Sequence, residues 1–221
     1  MHIEEGVVHG AKLILGYATA ATAGLYTLRL AADALRAQGA GSLAARAGLA
    51  TVATFVFFQV LPTAPVGVSE VHLILGSTLF LLFGAAPAAL GLALGLLIQG
   101  LFFAPFDLPQ YGMNVTTLLV PLFAVGALAR RLIAPDTAYV DLRYAQALAL
   151  SAAYQGGIVA WVAFWAFYGQ GAGATAGVLS FGAAYLLVIA IEPLVDLAVL
   201  AAAKAARGLQ GSGLVTPRLY A

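Results

Sequence analysis

Apolar residues run in long stretches broken by Gly, Pro and small clusters of charge, near 8–30, 43–61, 71–83, 87–104, 115–133, 145–168 and 176–203. Apart from the third, each is long enough, at helical rise, to cross or nearly cross a hydrocarbon core about 30 Å thick. The pattern predicts an all-α fold: a polytopic membrane helix bundle of about seven transmembrane helices. The third stretch is thirteen residues and covers only about 20 Å, so the connection before it, 62–70, must sink into the bundle. Irregular backbone does this only where protein surrounds it. The Pro- and Gly-containing stretch 105–112 reads the same way.

Composition agrees with this pattern. Of 221 residues, 62% are hydrophobic and 9% charged, and the mean hydropathy of +0.98 is too high for one soluble core. A net charge of +1 argues against a nucleic-acid partner. The absence of cysteine excludes disulfides and thiolate ligands, so any metal must be held by nitrogen or oxygen.

Charge also sets an expected orientation. Arg29, Arg36 and Arg46 fall between the first two spans, Arg130, Arg131 and Arg143 between the fifth and sixth, and Lys204, Arg207 and Arg218 after the last. The connections 62–70, 105–112 and 169–175 carry no basic residue, and Lys12 is the exception on the other side. Basic loops stay inside, so the amino terminus is expected outside and the carboxyl-terminal tail, 204–221, in the cytoplasm. The chain is expected in the cytoplasmic (inner) membrane of a prokaryote. His2, His9, His72, Glu4, Glu5, Glu70 and Asp107 then gather at the outer end.

The opening Met1-His2-Ile3-Glu4-Glu5-Gly6 carries the most specific chemistry. A free amine, the His2 amide nitrogen and the His2 imidazole can close around one ion in a plane that suits nickel or copper, leaving a position for another nitrogen. His72 is the candidate donor. Glu4 and Glu5 stand where a cleaved signal peptide would be basic, so this terminus is expected to be mature. Residues 1–7 would form a metal-chelating segment that folds down onto the bundle, 8–203, within a single domain, 1–221.

At these residues the chain resembles the CbiM/NikM family, the substrate-binding membrane subunits (S components) of energy-coupling-factor transporters for cobalt and nickel. The likeness rests on the Met-His-Ile-x-Glu-Gly opening, on Gly67-Val68-Ser69-Glu70-Val71-His72-Leu73, on Gly112-Met113-Asn114 and on chain length. The resemblance implies Met1, His2 and His72 as metal ligands, with Glu5, Gly112 and Asn114 bracing the site without touching the ion. Glu70 joins these on its place in the second motif, and His9 and Asp107 are further candidates. The chain departs from the family in Glu4, where proline or methionine is commoner, and in the additional His9.

The function implied is capture of Co2+ or Ni2+ as a transported ligand, with no separate cofactor. The implied partners are a transmembrane coupling subunit and two cytoplasmic ATPase subunits. The chain has no Gly-x-x-x-x-Gly-Lys-Ser/Thr loop, so energy must come from such partners, and enzymatic activity is not expected. The alternatives are an intramembrane metalloenzyme with Glu70 as base and a permease that needs no partner.

Other features have open readings. Glu192 and Asp196 lie four apart on one helix face, either functional intramembrane acids or interfacial ones. The aromatic run Trp161, Phe164, Trp165, Phe167 and Tyr168 reads as a helix-end anchor. The rows Gly16, Ala20, Gly24 and Gly91, Gly95 allow close helix contact, within the bundle or with a partner.

Overall fold

The computed structural model describes residues 2–135 and 137–205. Its six α-helices are α1 (Leu13–Gln59), α2 (Gly76–Phe83), α3 (Ala85–Phe102), α4 (Tyr111–Leu132), α5 (Tyr144–Gln170) and α6 (Thr175–Ala205). A short hairpin, β1 (Ala64–Val66) and β2 (Ser69–Val71), precedes α2. Four apolar helical stretches among the described residues are long enough to cross a membrane: Gly10–Gln59, Ala85–Phe102, Pro105–Leu132 and Tyr144–Ala205. The expected tail lies outside the described residues from 206 onward.

Among the described residues six helices stand where seven spans were expected, because the first two runs belong to one long helix. The polar stretch between the first two apolar runs is helical throughout α1 except at Gly39, whose φ of 81° and ψ of 164° bend the chain. At 47 residues α1 would measure about 70 Å if straight, more than twice a hydrocarbon core, and Gly39 supplies the backbone conformation that divides it into two limbs. Arg29, Arg36 and Arg46 therefore lie in a helix and not in a loop. Arg46 is buried at 2% exposure and donates to the Phe83 and Ser42 carbonyls and to Gln38 Oε1. The third run, expected over 71–83, is helical only over the eight residues of α2. Its first residues are held as irregular chain.

Small residues bring the helices together. A Cβ at Gly91 would lie 2.3 Å from Ala50 Cβ, and one at Gly95 would lie 2.6 Å from Thr54 Cβ, so this row packs α3 on the second limb of α1. Gly112 and Gly16 do the same for α4 and the first limb, with a Gly112 Cβ placed 2.8 Å from the Gly16 carbonyl oxygen. Around Gly24 there is open space. In the aromatic run Trp165 is fully buried, whereas Phe164 and Phe167 face outward.

The connection before α2 does sink into protein. Two residues, Gly67 and Val68, join the paired strands, with Val66 opposite Ser69. Gly67 has φ +66° and no room for a side chain, because a Cβ would come within 2.2 Å of the Gly177 carbonyl oxygen in α6. The amino-terminal segment then pairs with the hairpin. Ile3 forms an antiparallel bridge with Ser69, Glu4 N donates to Val68 O at 3.1 Å, and Glu70 N donates to His2 O at 3.0 Å. Residues 2–8 cross the end of the bundle as a strap, with Val7 against Gly169 and Lys12 Nζ donating to the Gly169 carbonyl at 2.8 Å.

Candidate metal centre

The strap determines where His2 sits. Ile3 is 1% exposed, and its backbone N–H donates to Asn114 Oδ1 at 2.9 Å. The His2 carbonyl accepts from Ser69 Oγ at 2.8 Å and from Glu70 N. These bonds drive the His2 side chain inward, to 3% exposure. There Nε2 lies within hydrogen-bond distance of Gln99 Oε1, at 3.0 Å, and Asp107 Oδ2 lies 3.7 Å from the same nitrogen. The other ring nitrogen, Nδ1, faces Glu70.

His72, one residue beyond β2, comes from a distant part of the chain and is equally buried. Its Nε2 and the His2 Nδ1 both lie 2.8 Å from a single oxygen, Glu70 Oε2. The two imidazole rings meet edge to face with centroids 5.3 Å apart, and Phe58 walls them at 5.1 Å from His72 and 6.1 Å from His2. One donor atom each from His2, Glu70 and His72 lies within 4.8 Å of the others. His72 Nδ1 is buried with no hydrogen-bond partner among the described residues, an exceptional state for a ring nitrogen.

Hydrogen bonds from both imidazoles hold the Glu70 carboxyl far below the usual carboxylate range, and burial pushes the His72 imidazole down. A negative oxygen thus faces two ring nitrogens in a dry setting, where a cation between them is strongly favoured over none. Above the cluster, His2, Ile3, Glu4, Glu5, Glu70, Phe106 and Asp107 line a cavity of about 220 Å³. Burial, then the neighbouring Glu70, Asp107 and Glu5, raise the Glu4 carboxyl, as expected where like charges crowd together.

The remaining expected residues divide clearly by position. Asn114 grips the strap, and Glu5 is exposed at the cavity. Gly112 packs against Gly16, where it lets α4 approach α1. His9 is exposed, and its Nδ1 lies 3.3 Å from the Gly6 carbonyl. Met1 lies outside the described residues. Sequence reading missed Gln99, a lone amide in the apolar run 87–104, and Phe58; the polar exception in that run was the available signal.

The loop carrying His72 is held from below. Leu75 has a left-handed backbone, φ 53°, a conformation that costs a non-glycine residue about 1–2 kcal/mol. Glu192 of α6 accepts from the backbone N–H groups of Ile74 and Leu75 and from Gln155 Nε2. Tyr185 in turn donates to Gln155 Oε1 at 2.8 Å. Asp196 accepts from Ser77 Oγ at 2.6 Å and from Thr78 Oγ1 in the first turn of α2. Both acids are fully buried, so of the two readings left open by sequence, intramembrane or interfacial, the interfacial one does not describe them.

Comparison with known proteins places this geometry in context. The chain is similar in fold to a solved structure described as a truncated transition metal transporter, with a TM-score of 0.64, 18% identity, and coverage of 93% of this chain and 97% of that one. No curated protein matches. The family model for the cobalt uptake substrate-specific transmembrane region, CbiM, matches residues 2–208. That span includes the strap, the hairpin, His72 and α6, and the chain belongs to the CbiM family.

Proposed function

We propose that this protein captures a divalent transition metal, cobalt or nickel, at the outer face of a prokaryotic cytoplasmic membrane. It would deliver the ion inward as the substrate-specific subunit of an ATP-driven energy-coupling-factor importer. The carrying observation is the convergence of two buried imidazoles, His2 and His72, seventy positions apart, on one Glu70 oxygen. A fold pays for burying such groups only where they are paired, and a metal ion pairs them directly. Membership in a family of cobalt-uptake substrate-specific regions supports the same reading.

In this proposal the ion is held by the Met1 amine, the His2 amide and imidazole nitrogens, and His72. Gln99 and Asn114 orient the His2 segment, and the cavity bounded by Glu4, Glu5, Glu70 and Asp107 concentrates cations at the mouth. The chain is read as one domain with its amino terminus outside and its carboxyl terminus in the cytoplasm. The chain lacks a nucleotide-binding loop, so a transmembrane coupling subunit and two ATPase subunits would reorient it.

The test is titration of Co2+ and Ni2+ into the purified chain and its variants. His2→Ala and His72→Ala should each abolish high-affinity binding, a loss of about 100-fold or more, since removing one ligand exceeds the 10–100-fold typical of supporting residues. Retention of affinity in either variant contradicts the assignment.

A further inference from the structure

We infer that the cleft between α2 and the end of α4 binds an anionic phospholipid, whose acyl chain lies against the apolar walls and whose phosphate meets Arg130. The inference stands apart from the metal-capture reading and goes beyond it.

The cleft measures about 600 Å³, within the range of about 300–1,000 Å³ usual for small-molecule sites. Its position follows from α4. Asn114, near the start of that helix, grips the strap at the metal centre, and Arg130 lies in its last turn. At helical rise the two are roughly 24 Å apart, most of the depth of a hydrocarbon core about 30 Å thick. The cleft therefore lies near the membrane face opposite the metal centre, the cytoplasmic face in the orientation proposed above.

Phe80 and Leu81 of α2 and Ile133 beyond α4 supply apolar walls, and Gly84 and Gly126 leave the space between them unfilled. Gly84 ends α2 with φ 89° and ψ 169°. A Cβ at Gly126 would stand 3.6 Å from Phe80 Cε2, in ordinary contact, so the gap is wider there than close helix packing requires. An empty apolar gap forfeits the dispersion contacts of its lining, and in a membrane an acyl chain restores them.

Charge names the occupant. Arg130 lines the cleft and Arg131 follows it; both are exposed, and neither side chain has a hydrogen bond or ion pair among the described residues. Arg46, bonded to the Phe83 carbonyl next to Gly84, is already committed. The end of a helix attracts cations on its own account, but it does not open a cavity beside them. A guanidinium presents paired donors that match a phosphate, and an apolar depth with a cation at one end is complementary to an amphiphile with a negative head. The groove between the first limb of α1 and α4 is the contrast. At about 580 Å³ it is nearly as large, but its lining, around Thr22, Tyr26 and Phe123, contains no charged residue, so nothing there selects a headgroup.

The experiment titrates the full chain in detergent with phosphatidylglycerol or phosphatidylcholine of the same acyl chains and counts bound lipid by native mass spectrometry. The native chain should prefer phosphatidylglycerol. Arg130→Gln should lower that affinity by about fivefold, the effect of one basic residue beside anionic headgroups, and leave phosphatidylcholine unchanged, whereas Arg130→Lys should keep the preference. Ala134→Trp fills the mouth of the cleft without altering charge, so it should weaken both lipids. Asp136→Asn removes the acid that follows Pro135, itself outside the described residues, and should bind phosphatidylglycerol at least as well as the native chain. Glycerol phosphate, a head without a chain, should not compete at concentrations where the lipid saturates.

Equal affinity of the native chain for the two lipids, or a preference that Arg130→Gln leaves intact, overturns the inference. Loss of the lipid when the chain is assembled with the proposed coupling and ATPase subunits also overturns it, because the cleft then belongs to a partner protein. Bound cobalt or nickel per protein should be the same in all these variants, since cleft and metal centre lie at opposite ends of α4. A native chain that takes up no metal overturns the capture reading and leaves lipid binding standing.

Discussion

Two pairs of buried groups in this protein involve carboxylates, and they are satisfied in opposite ways. At the strap, Glu70 takes both of its imidazole bonds on one oxygen, beside an acidic cavity, with His72 Nδ1 left without a partner among the described residues. Beneath it, Glu192 and Asp196 are surrounded by donors: two backbone N–H groups, an amide and two hydroxyls. The first arrangement leaves coordination capacity for an ion; the second uses its capacity on the protein. Acids inside a membrane protein are functional suspects by default, but here the deeper pair is an anchor that holds the His72 loop and the start of α2, and the shallower acid faces the site.

This contrast can be broken by exchanging what each region loses. Glu192→Leu should give the largest change in stability, because it leaves the Ile74 and Leu75 N–H groups and Gln155 unpaired in the interior, at a cost of about 3–5 kcal/mol. Thermal unfolding in detergent should show it. His2→Ala, which removes a buried ring bonded to Gln99 and Glu70, should lower the unfolding temperature by less than Glu192→Leu while removing the metal. If Glu192→Leu unfolds at the native temperature, the anchor role is wrong.

A smaller effect is expected at Asn114, which acts through the strap. Asn114→Ala frees the Ile3 N–H and loosens the segment that aims His2, so metal affinity should fall by about 10–100-fold, the usual range for residues that orient ligands. Competition with a coloured chelator would measure it, and native affinity in this variant would mean that the Ser69 and Glu70 contacts alone hold the strap.

The pH response sharpens the same contrast. Burial keeps the His72 imidazole well below its ordinary value, and the two imidazoles keep Glu70 ionised, so near neutral pH neither one changes state. On the proposed ligand set the amine, with a reference value of about 7.7–8.0, is then one of the groups whose proton competes with metal. Protons and metal compete for the same lone pairs, and the His2 amide nitrogen gives up its proton only on binding, so affinity should rise with pH through this range and continue to rise above it. A flat titration between pH 6 and 8 would exclude the amine.

The smallest effect belongs to His9. It is exposed and turned onto the Gly6 carbonyl, and His9→Ala should change metal affinity by less than about twofold, since surface substitutions away from special features move free energies by about 0.5 kcal/mol or less. A loss as large as that of His72→Ala would place His9 in the coordination sphere.

Much of this was legible in the sequence because lipid leaves few options: long apolar runs must be helices, and α3 through α6 fall where those runs lie. The short third run and the Pro- and Gly-containing 62–70 pointed to a sunken connection, and the hairpin is that connection. The stretch around Arg36, Gln38 and Gly39 read as a loop because it is polar. In the structure those side chains are satisfied nearby, Arg36 by Asp33 and Gln38 by Arg46, so the helix continues to a bend at Gly39. Gln99 was visible only as a lone amide among apolar residues. The partners of Glu192 were not legible at all: they are backbone N–H groups nearly 120 positions away, which no residue type encodes.

The central claim is that the amino-terminal segment, beginning at a free Met1 amine, is part of the metal site together with His72. Placing one extra residue before Met1 converts that amine to an amide and displaces the free amine, while every helix and both buried histidines keep their sequence. Bound cobalt or nickel per protein should be close to one for the native terminus and for a carboxyl-terminally tagged control, and close to zero for the extended chain. Equal metal content in all three would contradict the claim.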